Sequence, residues 1–250
     1  MVNLTPLTDS NIRTVLREWE EDIETLSTHN LNRNDAGLPR PWFSRPGNNP
    51  YYGYTDVWDV SQVTDMNKLF AYRTEFNDDI SNWDVGNVTN MAFMFNDATS
   101  FNQPIGNWDV SSVKTMQAMF GNAGSFNQPI GEWDVSSVTN FQGLFYGSAF
   151  NHPIRDWNVS AAVNMSHMFR ESLFDQDISS WNIENVSDMF DMFKDANSLS
   201  EENKGLIQSS FSSNPHWPHN WGSPINSEPI DLNSIAPLLL VENLPIGSGI

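Results

Sequence analysis

The sequence predicts an α/β solenoid of six short coils, each a strand, a turn and a helix, with a helical cap at either end. Three observations predict it. The stretch FNQPIGNWDVSSV at residues 101–113 returns at residues 126–138 as FNQPIGEWDVSSV, with one letter changed. Tryptophans recur at Trp58, Trp83, Trp108, Trp133, Trp157 and Trp181, in steps of 25, 25, 25, 24 and 24 residues. Within each unit the spacing of apolar residues changes from alternation to steps of three and four. A fixed period of this length marks a repeat architecture, in which no unit can bury its apolar face alone and stacked neighbours bury it together.

The template is dense. Val or Ile stands two places after each Trp, as in Val60, Val110 and Ile183. Val63, Val88, Val113, Val138, Ala162 and Val186 follow at the fifth place, and Met66, Met91, Met116, Phe141, Met165 and Met189 at the eighth. An apolar pair comes next, from Leu69-Phe70 to Met192-Phe193, and then Phe76, Phe101, Phe126, Phe150 and Phe174, with Leu199 in the last unit. Ile80, Ile105, Ile130, Ile154 and Ile178 precede the next Trp by three. The pattern Ile-x-x-Trp-x-Val alternates at its end, as a strand does, and predicts a parallel ladder rising about 4.8 Å per coil. The pattern Val-x-x-Met-x-x-Met-Phe steps by three and four and predicts one face of a helix, with Ser111 and Ser136 placed as its N-caps. The Phe-Asn-Gln-Pro segment turns the chain back, because Pro104, Pro129 and Pro153 cannot continue a helix.

The ends of such a stack expose apolar faces and need caps. Residues 1–50 supply the first: Ile12, Val15, Leu16, Trp19, Ile23 and Leu26 form a helical stripe opened by Thr8 or Ser10, followed by a loop rich in Pro, Gly and Asn. Residues 51–199 hold the six coils. Residues 200–222 form the second cap, a helix opened by Ser200 that carries Leu206, Ile207 and Phe211, closed by Trp217 and Trp221. Residues 223–250 read as a Pro-containing linker and the start of a further domain.

Composition narrows the function. A formal net charge of -19 disfavours nucleic acid and anionic membrane surfaces, which demand a basic footprint. The absence of cysteine removes disulfides, thiol catalysis and cysteine metal sites, and no run of apolar residues is long enough to span a bilayer. Residues 1–30 lack an apolar signal core, so the chain reads as intracellular or as a piece of a longer secreted protein without its signal peptide. No GxSxG, P-loop or GxGxxG motif occurs.

The unit FNQPIGNWDVSSVKTMQAMF resembles the BspA-like surface repeat, also known from mycoplasma-type lipoproteins, a divergent leucine-rich-repeat-like family. The resemblance covers residues 51 to about 221. The ending LSEENKGLIQSSFSSNPHWPHNW is similar to the terminal cap that follows such repeats, and VENLPIGSGI at the extreme C-terminus resembles the first strand of a cadherin-like domain. The resemblance implies a right-handed leucine-rich-repeat-like solenoid, and a module of an extracellular adhesin-type protein. It supplies no catalytic residues.

Two sets of residues are the candidates for contact. Asp59, Asp84, Asp109 and Asp134, with Asn158 and Asn182 in the last two units, follow each Trp directly and should point outward between inward neighbours. Stacking sets these carboxylates in a column, where adjacent charges near 5 Å repel by roughly 1 kcal/mol in water. Local Asx-turns, accepting the N–H two residues on, would compensate; calcium bridging neighbouring coils, or a polar partner along the strip, are the functional alternatives. The second set is the loop residues Arg40, Trp42, Phe43 and Arg45, of the types that anchor interfaces, unless Trp42 and Phe43 instead shield the first coil. Asn77, Asn102, Asn127, Asn151 and Asp175 read as a structural ladder, the Met and Trp residues as core, and His216-x-x-His219 as cap packing, not as a metal site. No metal or cofactor beyond the calcium alternative is expected. The expected function is a non-enzymatic, monomeric module of a bacterial surface protein that binds a protein or glycan on another cell or matrix. A purely structural spacer is the alternative, and an enzyme acting on polysaccharide, which would need paired carboxylates outside the template, a third.

Overall fold

A computed structural model describes residues 6–17 and 58–222. The six units lie one on another in chain order, and each contributes the same side chains to one continuous core. All six repeated tryptophans are between 3% and 7% exposed, and the Val, Met and Phe positions of the template are buried with them. Two Phe columns run the length of the stack. Within a unit the rings pair closely, as Phe95 with Phe101 at 3.9 Å, and between units the first column steps from Phe70 to Phe95 at 5.6 Å and from Phe95 to Phe120 at 5.7 Å. Offset stacking of this kind is the arrangement that aromatic quadrupoles favour.

The α/β solenoid of strand–turn–helix coils predicted above, with its right-handed leucine-rich-repeat-like geometry, is not what the chain forms. Among the described residues only 12–17 and Glu201–Phe211 are helical, and no strand longer than a single bridge is present. The segment expected to be a strand is a turn: the Trp83 N–H donates to the Ile80 carbonyl at 3.1 Å, and the Val88 N–H to the Val85 carbonyl at 2.8 Å. The alternation Trp-in, Asp-out, Val-in survives without a ladder. Adjacent units share one parallel bridge each, Asp65 with Asn90, Asn90 with Thr115, and so on to Asn164 with Asp188.

The segment expected to be a helix divides its hydrogen bonds in two directions. The N–H groups of Met91, Phe93, Phe95 and Asp97 donate to Thr115, Gln117, Met119 and Gly121 of the next unit, while those of Met94, Asn96 and Ala98 close turns onto Met91, Phe93 and Phe95. A helix would satisfy its N–H groups internally and leave none to join one layer to the next. The alternation requires a left-handed residue every fourth position: Lys68 and Tyr72, Phe93 and Asp97, Ala118 and Asn122, Gly143 and Gly147, His167 and Glu171, Asp191 and Asp195 all have φ between 47° and 64°. Ser111 and Ser136 therefore cap no helix; their N–H groups bond the side chains of Asp109 and Asp134.

Both ends are closed. The Leu7 N–H donates to the Asp59 carbonyl at 2.7 Å, and the Asp9 carboxylate accepts from the N–H groups of Thr64 and Asp65 at 2.8 and 3.0 Å. Ile12, Val15 and Leu16 are buried against the first unit; Trp19, Ile23 and Leu26 lie outside the described residues. At the other end Ser200 caps helix Glu201–Phe211, whose Ile207 and Phe211 are buried while Leu206 is exposed. Trp217 and Trp221 pack on Phe193 at 6.3 and 5.5 Å.

Candidate functional site

Repeated polar residues divide into those that join layers and those that face outward. Each Trp from the third unit on donates its indole N–H to the Ile carbonyl of the unit before: Trp108 to Ile80, Trp133 to Ile105, Trp157 to Ile130 and Trp181 to Ile154, all at 3.0–3.1 Å. The Asn ladder does the same from the side. Asn77 Oδ1 accepts the Asn102 N–H at 2.8 Å, Asn102 the Asn127 N–H at 3.0 Å, and Asn127 the Asn151 N–H at 2.9 Å. Asn151 accepts from Asp175, and the Asp175 carboxylate accepts from both the N–H and the hydroxyl of Ser200, tying the ladder to the cap.

The outward column consists of Asp59, half-buried, and Asp84, Asp109 and Asp134, all exposed. Each accepts the N–H two residues on: Ser61 at 3.1 Å, Gly86 at 3.2 Å, and Ser111 and Ser136 at 3.0 Å. The Ser61 and Ser111 hydroxyls add bonds of 2.7 and 2.6 Å. Asn158 and Asn182 make the same turn in the last two units. The hydroxyl and N–H of Ser111 hold the Asp109 carboxyl below its ordinary 3.8, and those of Ser136 do so for Asp134; the charge of Asp134 pushes Asp109 the other way. Asp109 thus feels the charge of Asp134, and its turn outweighs it. Gly86 occupies the place of the serines, and Asp109 Oδ2 lies 3.5 Å from where a Cβ there would stand. What the column offers chemically is a row of fixed acceptors with negative charge.

Arg40, Trp42, Phe43 and Arg45 lie outside the described residues. Among the described residues no three His, Cys, Asp or Glu side chains converge in a way that could hold a metal ion, and no helix is long and apolar enough to cross a membrane. His219 packs between Trp217 and Trp221, at 5.0 and 4.7 Å, and burial pushes its imidazole below the ordinary 6.5 against the pull of Asp191.

A cluster that the sequence does not announce sits on the left-handed turns. Arg170 bonds Glu171 at 3.1 Å and Asp191 at 3.2 Å, lies 5.8 Å over the Tyr146 ring, and the Tyr146 hydroxyl donates to Glu171 at 3.2 Å. Exposed Phe190 stands edge-on to His167 nearby in the chain. These positions vary from unit to unit, so a search for the common template passes over them; the variation itself is the signal.

The sequence profile of the family described as Mycoplasma protein of unknown function, DUF285, matches residues 48–149 and again residues 128–214. No curated protein and no solved structure matches the chain.

Proposed function

Since the chain belongs to the DUF285 family, whose profile spans the stacked units, we propose that it is a non-enzymatic module of a bacterial surface protein, of the BspA-like adhesin kind, that binds a protein or glycan partner outside the cell. The observation that supports this reading is the column of Asp84, Asp109 and Asp134. Each carboxylate is exposed and fixed by its own turn, and the turn bonds hold the Asp109 and Asp134 carboxyls below their ordinary range. Rigid acceptors that need no ordering on association suit recognition of hydroxyl, amide or cationic groups. The net charge of -19 directs the choice of partner away from nucleic acid and anionic lipid.

The test is a glycan and extracellular-protein array probed with the 250-residue chain, its Asp109→Ala/Asp134→Ala double variant, and Trp42→Ala from the other candidate set. A partner whose binding falls about tenfold or more in the double variant, about 1.4 kcal/mol, supports the reading. A partner bound equally by all three proteins removes both candidate surfaces.

A spacer in a multidomain surface protein is the second reading. It is favoured by the Trp and Asn ladders, which commit the repeated polar groups to holding layers together. Arrays without a single binder would select it.

A further inference from the structure

The first left-handed residue of each unit stands on the outside of the stack, between inward neighbours. From the first unit to the sixth these residues are Lys68, Phe93, Ala118, Gly143, His167 and Asp191. They form a column. Ala118 Cβ lies 3.9 Å from where a Cβ on Gly143 would stand, and Lys68 Nζ lies 5.5 Å from the centre of the Phe93 ring. The order of the column is complementary to its own reverse. A cation begins it and an anion ends it. Its second and fifth members, Phe93 and His167, are aromatic. Its third and fourth, Ala118 and Gly143, are the two smallest side chains available.

The surroundings of the column repeat this contrast. Near Lys68, Arg13 bonds the Asn67 carbonyl and Arg73 follows Tyr72, against the carboxylates of Asp9 and Asp65. Near Asp191 stand Asp188, Asp195 and Glu171, against the cations of Arg170 and Lys194. Cations are in excess at the first end and carboxylates at the second. The two most exposed large apolar side chains among the described residues also mark these ends: Tyr72, 69% exposed, in the first unit, and Phe190, 63% exposed, in the sixth.

We propose that this face is the interface of a two-fold dimer, in which a second copy of the chain lies antiparallel across it with the axis between the third and fourth units. A two-fold axis makes every contact twice, so the surface must complement its own reverse, and this column does. Lys68 meets Asp191, Phe93 meets His167, and the copies approach over Ala118 and Gly143, where no long side chain stands. Tyr72 and Phe190 come to the same two ends of the interface. A parallel pair would set Lys68 on Lys68 and Asp191 on Asp191, which like-charge repulsion disfavours. The antiparallel register also opposes Asp97 to Glu171, but each has donors of its own: Asn122 Nδ2 reaches Asp97 at 2.9 Å, and Arg170 Nε reaches Glu171 at 3.1 Å. The net charge of -19 on each copy opposes association, so the dimer is of the weak, reversible class. The face uses none of Asp84, Asp109 and Asp134, and the inference does not depend on what that column binds.

The test is sedimentation equilibrium of the 250-residue protein between about 1 μM and about 1 mM. The expected result is a reversible shift from 28.3 kDa toward twice that mass, with a Kd below about 100 μM. Lys68→Glu and Phe190→Ser, each checked for an unaltered melting curve, should weaken the dimer about tenfold and about fivefold. Register is read with a short bismaleimide cross-linker, because the chain has no cysteine and each introduced thiol stands alone. Asn67→Cys mixed with Phe190→Cys should be linked, and so should Gln117→Cys mixed with Gln142→Cys. Asn67→Cys by itself should not be, because its two copies stand at opposite ends, five layer steps or about 24 Å apart. A monomer at every concentration overturns the proposal, as does a dimer indifferent to both surface changes, or Asn67→Cys linking to itself. The Asp109→Ala/Asp134→Ala variant should self-associate like the parent, so the array result and the dimer stand or fall separately.

Discussion

The indole N–H of Trp133 reaches across one layer to the carbonyl of Ile105 at 3.1 Å, and both groups are buried. The Trp therefore acts twice, as core volume and as the donor by which the next unit reaches that carbonyl. Trp133→Phe keeps most of the volume and removes the bond between the units, leaving the Ile105 oxygen with the Trp108 N–H of its own unit at 3.1 Å. The expected loss is about 0.5–1.5 kcal/mol, and Trp133→Ala should lose about 3–5 kcal/mol. Urea unfolding of both variants measures it. A Phe variant as stable as the parent would show that the hydrogen bond contributes nothing.

Asn102 gives the ladder a different test, because the stack itself contains the conservative replacement. Its Oδ1 accepts from the Asn127 N–H and from Gln128 Nε2, at 3.0 and 2.9 Å. Asp175 fills the corresponding place at the cap. Asn102→Ala should cost about 1–2 kcal/mol, and Asn102→Asp, which keeps an acceptor, clearly less. Equal losses in the two variants would mean that packing, not the accepted N–H, sets the value of this position.

Left-handed turns predict opposite signs at two equivalent residues. Gly143 has φ 61°, and an added Cβ would meet only ordinary contacts, the nearest at 3.8 Å from Tyr146. Gly143→Ala should therefore destabilise by about 1 kcal/mol through backbone conformation alone. Ala118, at φ 47°, carries that strain already, and Ala118→Gly should be neutral to stabilising by up to about 1 kcal/mol. Thermal melts of the pair decide it; the same sign for both changes would refute the conformational account.

The same residues show what the sequence made legible and what it hid. The inward set was readable because Trp, Val, Met and Phe recur in fixed register, and burial depends on register more than on backbone conformation. The backbone was not. Steps of three and four bring Met91, Met94 and Phe95 to one side in a helix, and equally in a run of turns that shares its N–H groups with the next layer. Only the fourth unit marks the left-handed positions with glycine, at Gly143 and Gly147; Asp97, Asn122, Asp191 and Asp195 are of types that tolerate this conformation, while Lys68, Phe93 and Ala118 announce nothing. The Asp-Val-Ser turn was visible in its letters, since Asp side chains favour accepting two residues on.

Acid titration isolates the Asp column. The Ser111 hydroxyl and N–H lower the Asp109 carboxyl below 3.8 in the folded chain. A depressed carboxyl contributes stability above its unfolded value and loses it as pH falls through the folded value, so this contribution disappears below about pH 4. Ser111→Ala removes the hydroxyl bond and keeps the N–H. The carboxyl carbon of Asp109, followed by NMR, should then titrate closer to 3.8 than in the parent, with Asp134 unchanged in direction. An unmoved Asp109 would show that the N–H of the turn accounts for the shift.

His219 sets a second pH window at the other end of the scale. Its ring stacks on Trp221 at 4.7 Å and faces Phe193 at 6.0 Å, and burial lowers its pKa below 6.5 although the charge of Asp191 opposes this. The folded chain holds the imidazole neutral where the unfolded chain protonates it. Stability is therefore complete above about pH 6.5 and falls as pH drops from there toward the folded value. The loss belongs to the C-terminal cap, so tryptophan fluorescence from Trp217 and Trp221 should respond before the stack unfolds. Substituting His219→Leu removes the titrating group and keeps apolar contact with Phe193. The melting temperature of that variant should be flat between pH 7 and 5 where the parent's declines, and a parallel decline in both would assign the acid sensitivity to the carboxylates instead.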